Sequence, residues 1–108
     1  MPAYMIVTAA IHDREAFITG YGPAAAALIG KFGGDYLLRG PGAELLEGDF
    51  GAVDFRGAGM VISKWPDKDA AKAFYNSPEY AEVKKLREGL ADCQILLIDG
   101  PDINPVSD

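Results

Sequence analysis

A nearly unbroken apolar run at the start of the chain constrains the fold most. Residues 3–11 have the sequence AYMIVTAAI, which is rich in strand-forming residues. Successive side chains of a strand point to opposite faces, so a run without polar alternation must be covered on both faces. The segments MVISKW at 60–65 and QILLID at 94–99 share this property. We therefore expect three strands in a sheet that is covered on both sides.

A helix is predicted directly after the first strand. Asp13 is a favourable helix cap, and glycines at 33–34 are typical of a helix end. Pro23 lies inside the segment, where it removes a backbone hydrogen bond, so we expect a kink there. Apolar residues recur at helical spacing and should face the sheet; they are Phe17, Tyr21, Ala24, Leu28 and Phe32.

The middle of the chain predicts further strands. Residues 35–40, DYLLRG, form the second strand, and residues 43–48, AELLEG, are expected to continue it after a Pro-Gly turn. The glycine-rich segment 49–59 is expected to be a mobile connection to the third strand.

The pentapeptide NSPEY at 76–80 is predicted to separate two helices. Asp67 is expected to cap the first of them. Ser77 can cap a new helix, Pro78 suits a first helical position, and Glu79 complements the positive helix end.

The resulting order β-α-β-β-α-β is the ferredoxin-like α+β plan, with a four-stranded antiparallel sheet and helices on one face. We expect a single domain over residues 1–100 and a polar, proline-punctuated tail over 101–108. The helices leave one apolar sheet face uncovered, and such a face is unusual on a monomer. The simplest solution is a homodimer, sheet against sheet, in the manner of a dimeric α/β barrel.

Composition argues against several classes of partner and site. The 108 residues carry a net charge of −6 with only 10 Lys and Arg, which disfavours nucleic acid and anionic membrane surfaces as partners. No apolar run reaches the roughly 20 residues that span a bilayer. One cysteine and one histidine exclude an intrachain disulfide and a Cys/His zinc site. We expect no metal, no cofactor and a cytoplasmic location.

The strongest candidate pocket residues are Tyr80 and Arg87. They lie two helical turns apart on the border of an apolar stripe. Either the Arg87 head stays in water while its stem covers the core edge, or both residues line a cavity between helix and sheet and bind an anionic or carbonyl ligand.

Arg39 and Glu47 end two segments that a turn could bring together. They form either a surface salt bridge or a polar clamp at the pocket mouth. Tyr36 and Tyr21 are core residues or pocket walls, and Trp65 packs at a strand end or covers a ligand.

Several segments together resemble the bacterial family of domain of unknown function 1330. They are AYMIVTAAIHD, PAAAALIGKFGGDYLLRG, ELLEGD, AAKAFYNSPEYAEVKKLREG and ADCQILLIDG. The resemblance spans about residues 3–100 and implies a ferredoxin-like dimer without an established activity. Segment 49–59 looks longer and richer in glycine than in relatives, which could alter access to a pocket. The superfamily also includes cofactor-free monooxygenases, muconolactone isomerases, haem-degrading enzymes and stress-response proteins, and fold does not select among them.

Two functional hypotheses follow. In the first, the protein binds or transforms a small carbonyl or acidic metabolite without a cofactor. In the second, it is a non-catalytic dimeric interaction or stress-response protein. His12 and Cys93 support neither hypothesis strongly. His12 is expected in an exposed loop, and Cys93 is expected to be a small buried residue without a base to activate it.

Overall fold

The computed structural model describes residues 1–40, 42–48 and 59–103, which form a four-stranded antiparallel sheet with helices packed on one face. The order across the sheet is β2-β3-β1-β4, so β2 and β4 are the edge strands. The strands are β1 Ala3–Ile11, β2 Asp35–Gly40, β3 Gly59–Trp65 and β4 Ala91–Asp99. This is the ferredoxin-like plan, as predicted.

The helical segments begin at the predicted caps. The side chains of Asp13, Asp67 and Ser77 each accept a hydrogen bond from a backbone N–H in the first turn that follows. The segments are α1 Arg14–Ala16, a π-helical turn Phe17–Tyr21, α2 Gly22–Lys31, α3 Lys68–Tyr75, α4 Pro78–Lys84 and a 3₁₀ turn Lys85–Arg87.

A π-helical turn lies directly before Pro23, in the region where a kink was expected. The backbone N–H of Gly22 donates to the carbonyl of Phe17, five residues back, instead of the usual four. One extra residue in the turn changes the helical phase between α1 and α2 just before Pro23, at the second position of α2. The turn ends at Tyr21.

Two predicted boundaries are wrong. Residues 43–48 form no strand. The β2 pairing ends at Gly40, opposite Met60, and only Gly59 of the described part of β3 lies beyond that point, so β3 offers residues 43–48 no partner there. Conversely, β4 begins three residues early, at Ala91, because the end of β1 provides partners up to Ile11. The predicted glycine-rich connection comprises residues 49–59. All of it except Gly59, the first residue of β3, lies outside the described residues.

A β-bulge in β2 changes which side chains share a face. Tyr36 is opposite Ser63, Leu38 opposite Ile62 and Arg39 opposite Val61, so Leu37 is the extra residue. In a regular strand, residues three apart point to opposite faces. The bulge instead places Tyr36 and Arg39 on the same, helix-facing side.

The core is concentrated at one end of the helix-facing side. Its most buried large residues are Trp65, Phe74 and Tyr80, and it includes Ala3 and Met5 of β1. The Phe74 ring packs against both Trp65 and Tyr80, with centroid distances of 5.1 and 4.5 Å.

The opposite sheet face is partly open. At one end, the Tyr4 hydroxyl contacts the backbone of Pro101 and Ile103, while Lys64 pairs with Asp102, so the first residues of the tail cover this end. Leu38 and Leu96, in the next row of this face, are about half exposed, and so is Ile98, which is opposite Tyr4. A shallow groove of about 280 Å³ lies among side chains of β1 and β4, including Ile6 and Leu96.

Candidate functional site

A pair of tyrosine hydroxyls lies at the centre of the candidate site. The Tyr21 and Tyr80 oxygens are 2.7 Å apart, which joins the π-helical turn to the first turn of α4. Burial, and secondarily the nearby Tyr80, raises the pKa of Tyr21 well above its ordinary value. Tyr21 is therefore a neutral hydrogen-bond donor at physiological pH.

The pentapeptide at 76–80 fixes the position of Tyr80. The Ser77 hydroxyl accepts from the Tyr80 N–H at 3.0 Å and donates to the Phe74 carbonyl at 2.7 Å. Ser77 is thus both the cap of α4 and a link to the end of α3. The Tyr80 side chain is 2% exposed and lies against the Phe74 and Tyr75 rings.

Arg87 supplies a positive charge beside the tyrosines. Its guanidinium carbon lies 5.6 Å from the centre of the Tyr21 ring, within the range of a cation–π contact. Its Nε is buried and has no hydrogen-bond partner among the residues described. Burial alone lowers the pKa of Arg87, but Cys93, Tyr80 and Tyr21 raise it more, so the group stays charged.

Cys93 of β4 forms the other side of the Arg87 environment. Burial raises the pKa of the thiol, and the nearby Arg87 opposes that shift without cancelling it. The thiol is therefore mostly protonated at neutral pH. Cys93 was predicted to be a small buried residue, and the structure shows it only partly buried. Its proximity to Arg87 was not predicted, because that depends on how the 3₁₀ turn packs on the sheet.

A second arginine–tyrosine pair lies on β2. The Arg39 guanidinium carbon is 3.9 Å from the centre of the Tyr36 ring, and the Leu37 bulge makes this contact possible. Burial raises the pKa of Tyr36, Arg39 opposes the shift, and Tyr80 adds to it. Tyr80 is therefore an electrostatic neighbour of both Tyr21 and Tyr36.

The structure brings five of the seven candidate residues into one region. They are Tyr21, Tyr36, Arg39, Tyr80 and Arg87. Glu47 is exposed, and no ion pair joins it to Arg39 in the described part of the chain. Trp65 is 1% exposed, and its indole N–H donates to the Ser63 hydroxyl at 2.9 Å. The Phe74 ring, which packs against both Trp65 and Tyr80, lies between Trp65 and the cluster.

Other polar groups lie outside this cluster. His12 is exposed and contacts the Asp92 carboxylate at 2.9 Å, which ties the end of β1 to the start of β4. Among residues 1–40, 42–48 and 59–103, no group of three or more His, Cys, Asp or Glu could hold a metal ion. No helix in the same ranges has the length and apolarity needed to cross a membrane.

The arrangement combines cations with neutral donors. Arg87 and Arg39 can bind an oxygen anion, while the Tyr21 and Tyr80 hydroxyls can donate to or accept from a ligand. The two groups with raised pKa nearest Arg87, the Tyr21 hydroxyl and the Cys93 thiol, remain protonated and are poor bases at neutral pH. The cluster therefore suits stabilisation of negative charge on oxygen.

Comparison with known proteins provides a family match. The model of the family described as domain of unknown function (DUF1330) matches residues 2–101. No curated protein matches the sequence significantly.

Solved structures share the fold at low sequence identity. A protein of unknown function from Rhodopseudomonas palustris, RPA0582, has 19% identity and a TM-score of 0.73, covering 94% of this chain and 84% of that one. SnoaB from Streptomyces nogalater, described as a cofactor-independent oxygenase, has 14% identity and a TM-score of 0.68, covering 97% and 98%. A candidate antibiotic biosynthesis monooxygenase from Caulobacter crescentus has 12% identity and a TM-score of 0.60, covering 94% and 91%.

Proposed function

The chain belongs to the family of domain of unknown function 1330, and we propose that it binds a small acidic or carbonyl-containing organic molecule at the Tyr21–Tyr80–Arg87 cluster. The ligand would enter between the sheet and the helices, without a cofactor. The proposal includes chemical transformation of the ligand as well as simple binding.

The buried Nε of Arg87 carries this proposal. A buried donor without a partner is costly, at roughly 1–3 kcal/mol or more for a charged group, and such groups in folded proteins usually have a ligand or water as partner. The neighbouring groups are two hydroxyls and a thiol. A carboxylate, enolate or carbonyl oxygen is the kind of partner that this guanidinium prefers.

The fold likeness to SnoaB makes oxygenation one reaction to test. SnoaB is described as a cofactor-independent oxygenase, and at 14% identity the likeness supports the fold only. For this chain, an oxygenase activity remains part of the proposal and depends on which ligand binds.

We also propose that the protein is a homodimer. Leu96 is 60% exposed, Leu38 47% and Ile98 45%, all on the open sheet face. Contiguous apolar exposure of this kind is typical of an interface, and burying it against a second copy removes it from water on both partners. The alternative, a purely structural dimer without a ligand, gives no reason for the partnerless Nε of Arg87.

Thermal-shift measurements test the binding proposal. Small carboxylic acids, 1,3-diketones and phenols are screened, because a ligand that binds only the folded state raises Tm. We expect at least one class to raise Tm in the wild type and in Arg14→Gln, which removes an exposed charge, but not in Arg87→Gln. The proposal is wrong if no class raises Tm, or if the increase persists in a folded Arg87→Gln variant.

A further inference from the structure

Two arginine–tyrosine pairs lie at opposite edges of the sheet, on either side of the cluster. Arg39 and Tyr36 lie on edge strand β2, while Arg87 and Tyr21 lie beside Cys93 of the opposite edge strand β4. Each arginine lies near the face of its tyrosine ring. A ligand with a single carboxylate would need only one of these two cations.

The surface between the two pairs is apolar. Arg39 is opposite Val61, which is paired through β1 residue Val7 with Ile95, so one row crosses the whole sheet on the helix-facing side. Three strand intervals separate β2 from β4, roughly 14 Å at about 4.8 Å per interval.

This row is less buried than the middle of the neighbouring row, which contains Met5 and Ser63. Its three apolar residues face the helices but are only partly buried, whereas Met5 in the neighbouring row is 5% exposed; they are Val7, Val61 and Ile95. Val7 and Ile95 pack against the edge of the core, and part of each side chain stays accessible. Arg87 lies beside Cys93, which is opposite Ala9 in the adjacent row, so a flat ligand that crosses the sheet from Arg39 toward Cys93 would have an arginine near each end.

The charges at the two ends are uncompensated by the described acidic residues. Neither Arg39 nor Arg87 forms an ion pair within residues 1–40, 42–48 and 59–103. The nearest acidic group to Cys93 that affects its titration is Asp92, whose carboxylate contacts His12. Both guanidinium groups thus keep their charge available for a ligand.

We infer that the ligand is an elongated, flat molecule with an apolar middle and an acidic or carbonyl oxygen at each end, one end held by Arg87 and the other by Arg39. This inference rests on the proposed function and adds the second anchor and the shape. Tyr80, an electrostatic neighbour of Tyr21 and Tyr36, would lie near the middle of the ligand.

Calorimetric titration with matched ligands tests the second anchor. Biphenyl-4,4'-dicarboxylate is compared with biphenyl-4-carboxylate, and terephthalate with benzoate, so that two lengths are sampled. Because a charge-assisted hydrogen bond is stronger than a neutral one, at one length the dicarboxylate should bind about tenfold tighter or more. Arg39→Gln should abolish this advantage and leave the monocarboxylate Kd within about twofold, and the exposed-site control Arg14→Gln should change neither Kd.

The outcomes separate the two ideas. If a monocarboxylate binds through Arg87 but neither dicarboxylate binds tighter, or if the advantage survives Arg39→Gln, the second anchor is wrong and the proposed function stands. If none of the four compounds binds, the elongated ligand is also wrong, and the thermal-shift screen decides separately whether Arg87 binds a different acid or carbonyl. Arg39 is exposed, so its substitution should leave the fold intact, which circular dichroism verifies.

Discussion

The Tyr21 and Tyr80 hydroxyl oxygens lie 2.7 Å apart, although the residues are 59 positions apart in the chain. This contact connects the two helical segments that pack on the same face of the sheet. It depends on two local devices, the π-helical turn that ends at Tyr21 and the Ser77 cap that starts the helix of Tyr80.

The tyrosine pair should show energetic coupling. Tyr21→Phe or Tyr80→Phe each leaves the partner hydroxyl without its hydrogen bond, at a cost of about 1 kcal/mol or more. The double variant should lose clearly less than the sum of the single losses, measured as the free energy of unfolding in urea. Additive losses within about 0.3 kcal/mol would show that the pair contributes nothing as a unit.

Ser77→Ala should destabilise the protein by about 1 kcal/mol, because the cap hydrogen bond to the Tyr80 N–H is lost. The matched control is Pro78→Ala, next to it and exposed, which should be mild. Urea unfolding measures both. Equal losses for the two variants would contradict the role of the Ser77 hydroxyl.

Stability should fall at alkaline pH. The pKa values of Tyr21, Tyr36 and Cys93 are raised in the fold, chiefly by burial. The unfolded chain therefore loses these protons first as pH rises, and stability declines above about pH 8.5 for the cysteine and about pH 10 for the tyrosines. The free energy of unfolding of Tyr21→Phe, taken relative to its own value at pH 7, should fall less steeply with pH above about pH 10 than that of the wild type. Urea unfolding at a series of pH values measures this, and the same dependence on pH in both proteins would argue against burial of the Tyr21 hydroxyl.

The dimer proposal predicts a change of size on substitution of the open face. Leu96→Lys places a charge on that face and should yield a monomer in light scattering at micromolar concentration. Leu86→Lys is the control, because Leu86 is also exposed, at 46%, but lies in the 3₁₀ turn on the helical side. A monomeric wild type, or a Leu96→Lys dimer, would contradict the arrangement.

Local sequence signals accounted for much of the fold. The run at 3–11 predicted β1 with its observed bounds, and Asp13, Asp67 and Ser77 were identified as caps because capping needs only neighbouring residues. Strand ends were less predictable, since pairing depends on a partner: β4 extends to Ala91 only because β1 extends to Ile11.

The sequence predicted which residues belong to the candidate site better than it predicted the contacts between them. Tyr80 and Arg87 were chosen from helical spacing, yet the helix changes to a 3₁₀ turn at Lys85, and the contact of Arg87 with Cys93 comes from tertiary packing. The Tyr36–Arg39 contact escaped prediction altogether. Three-residue spacing in a strand normally separates faces, and nothing in DYLLRG announces a bulge.

The bulge at Leu37 has a consequence for how such a site changes over evolution. A strand side chain cannot be moved gradually from one face to the other, because the pleat offers only two directions. A single-codon insertion or deletion between Tyr36 and Arg39 switches the arginine between faces in one event. Among related chains, a cation should therefore be gained or lost on this face whenever the segment between the positions of Tyr36 and Arg39 changes by one residue. The number of residues between these positions should predict the cation better than the identity of the residues does.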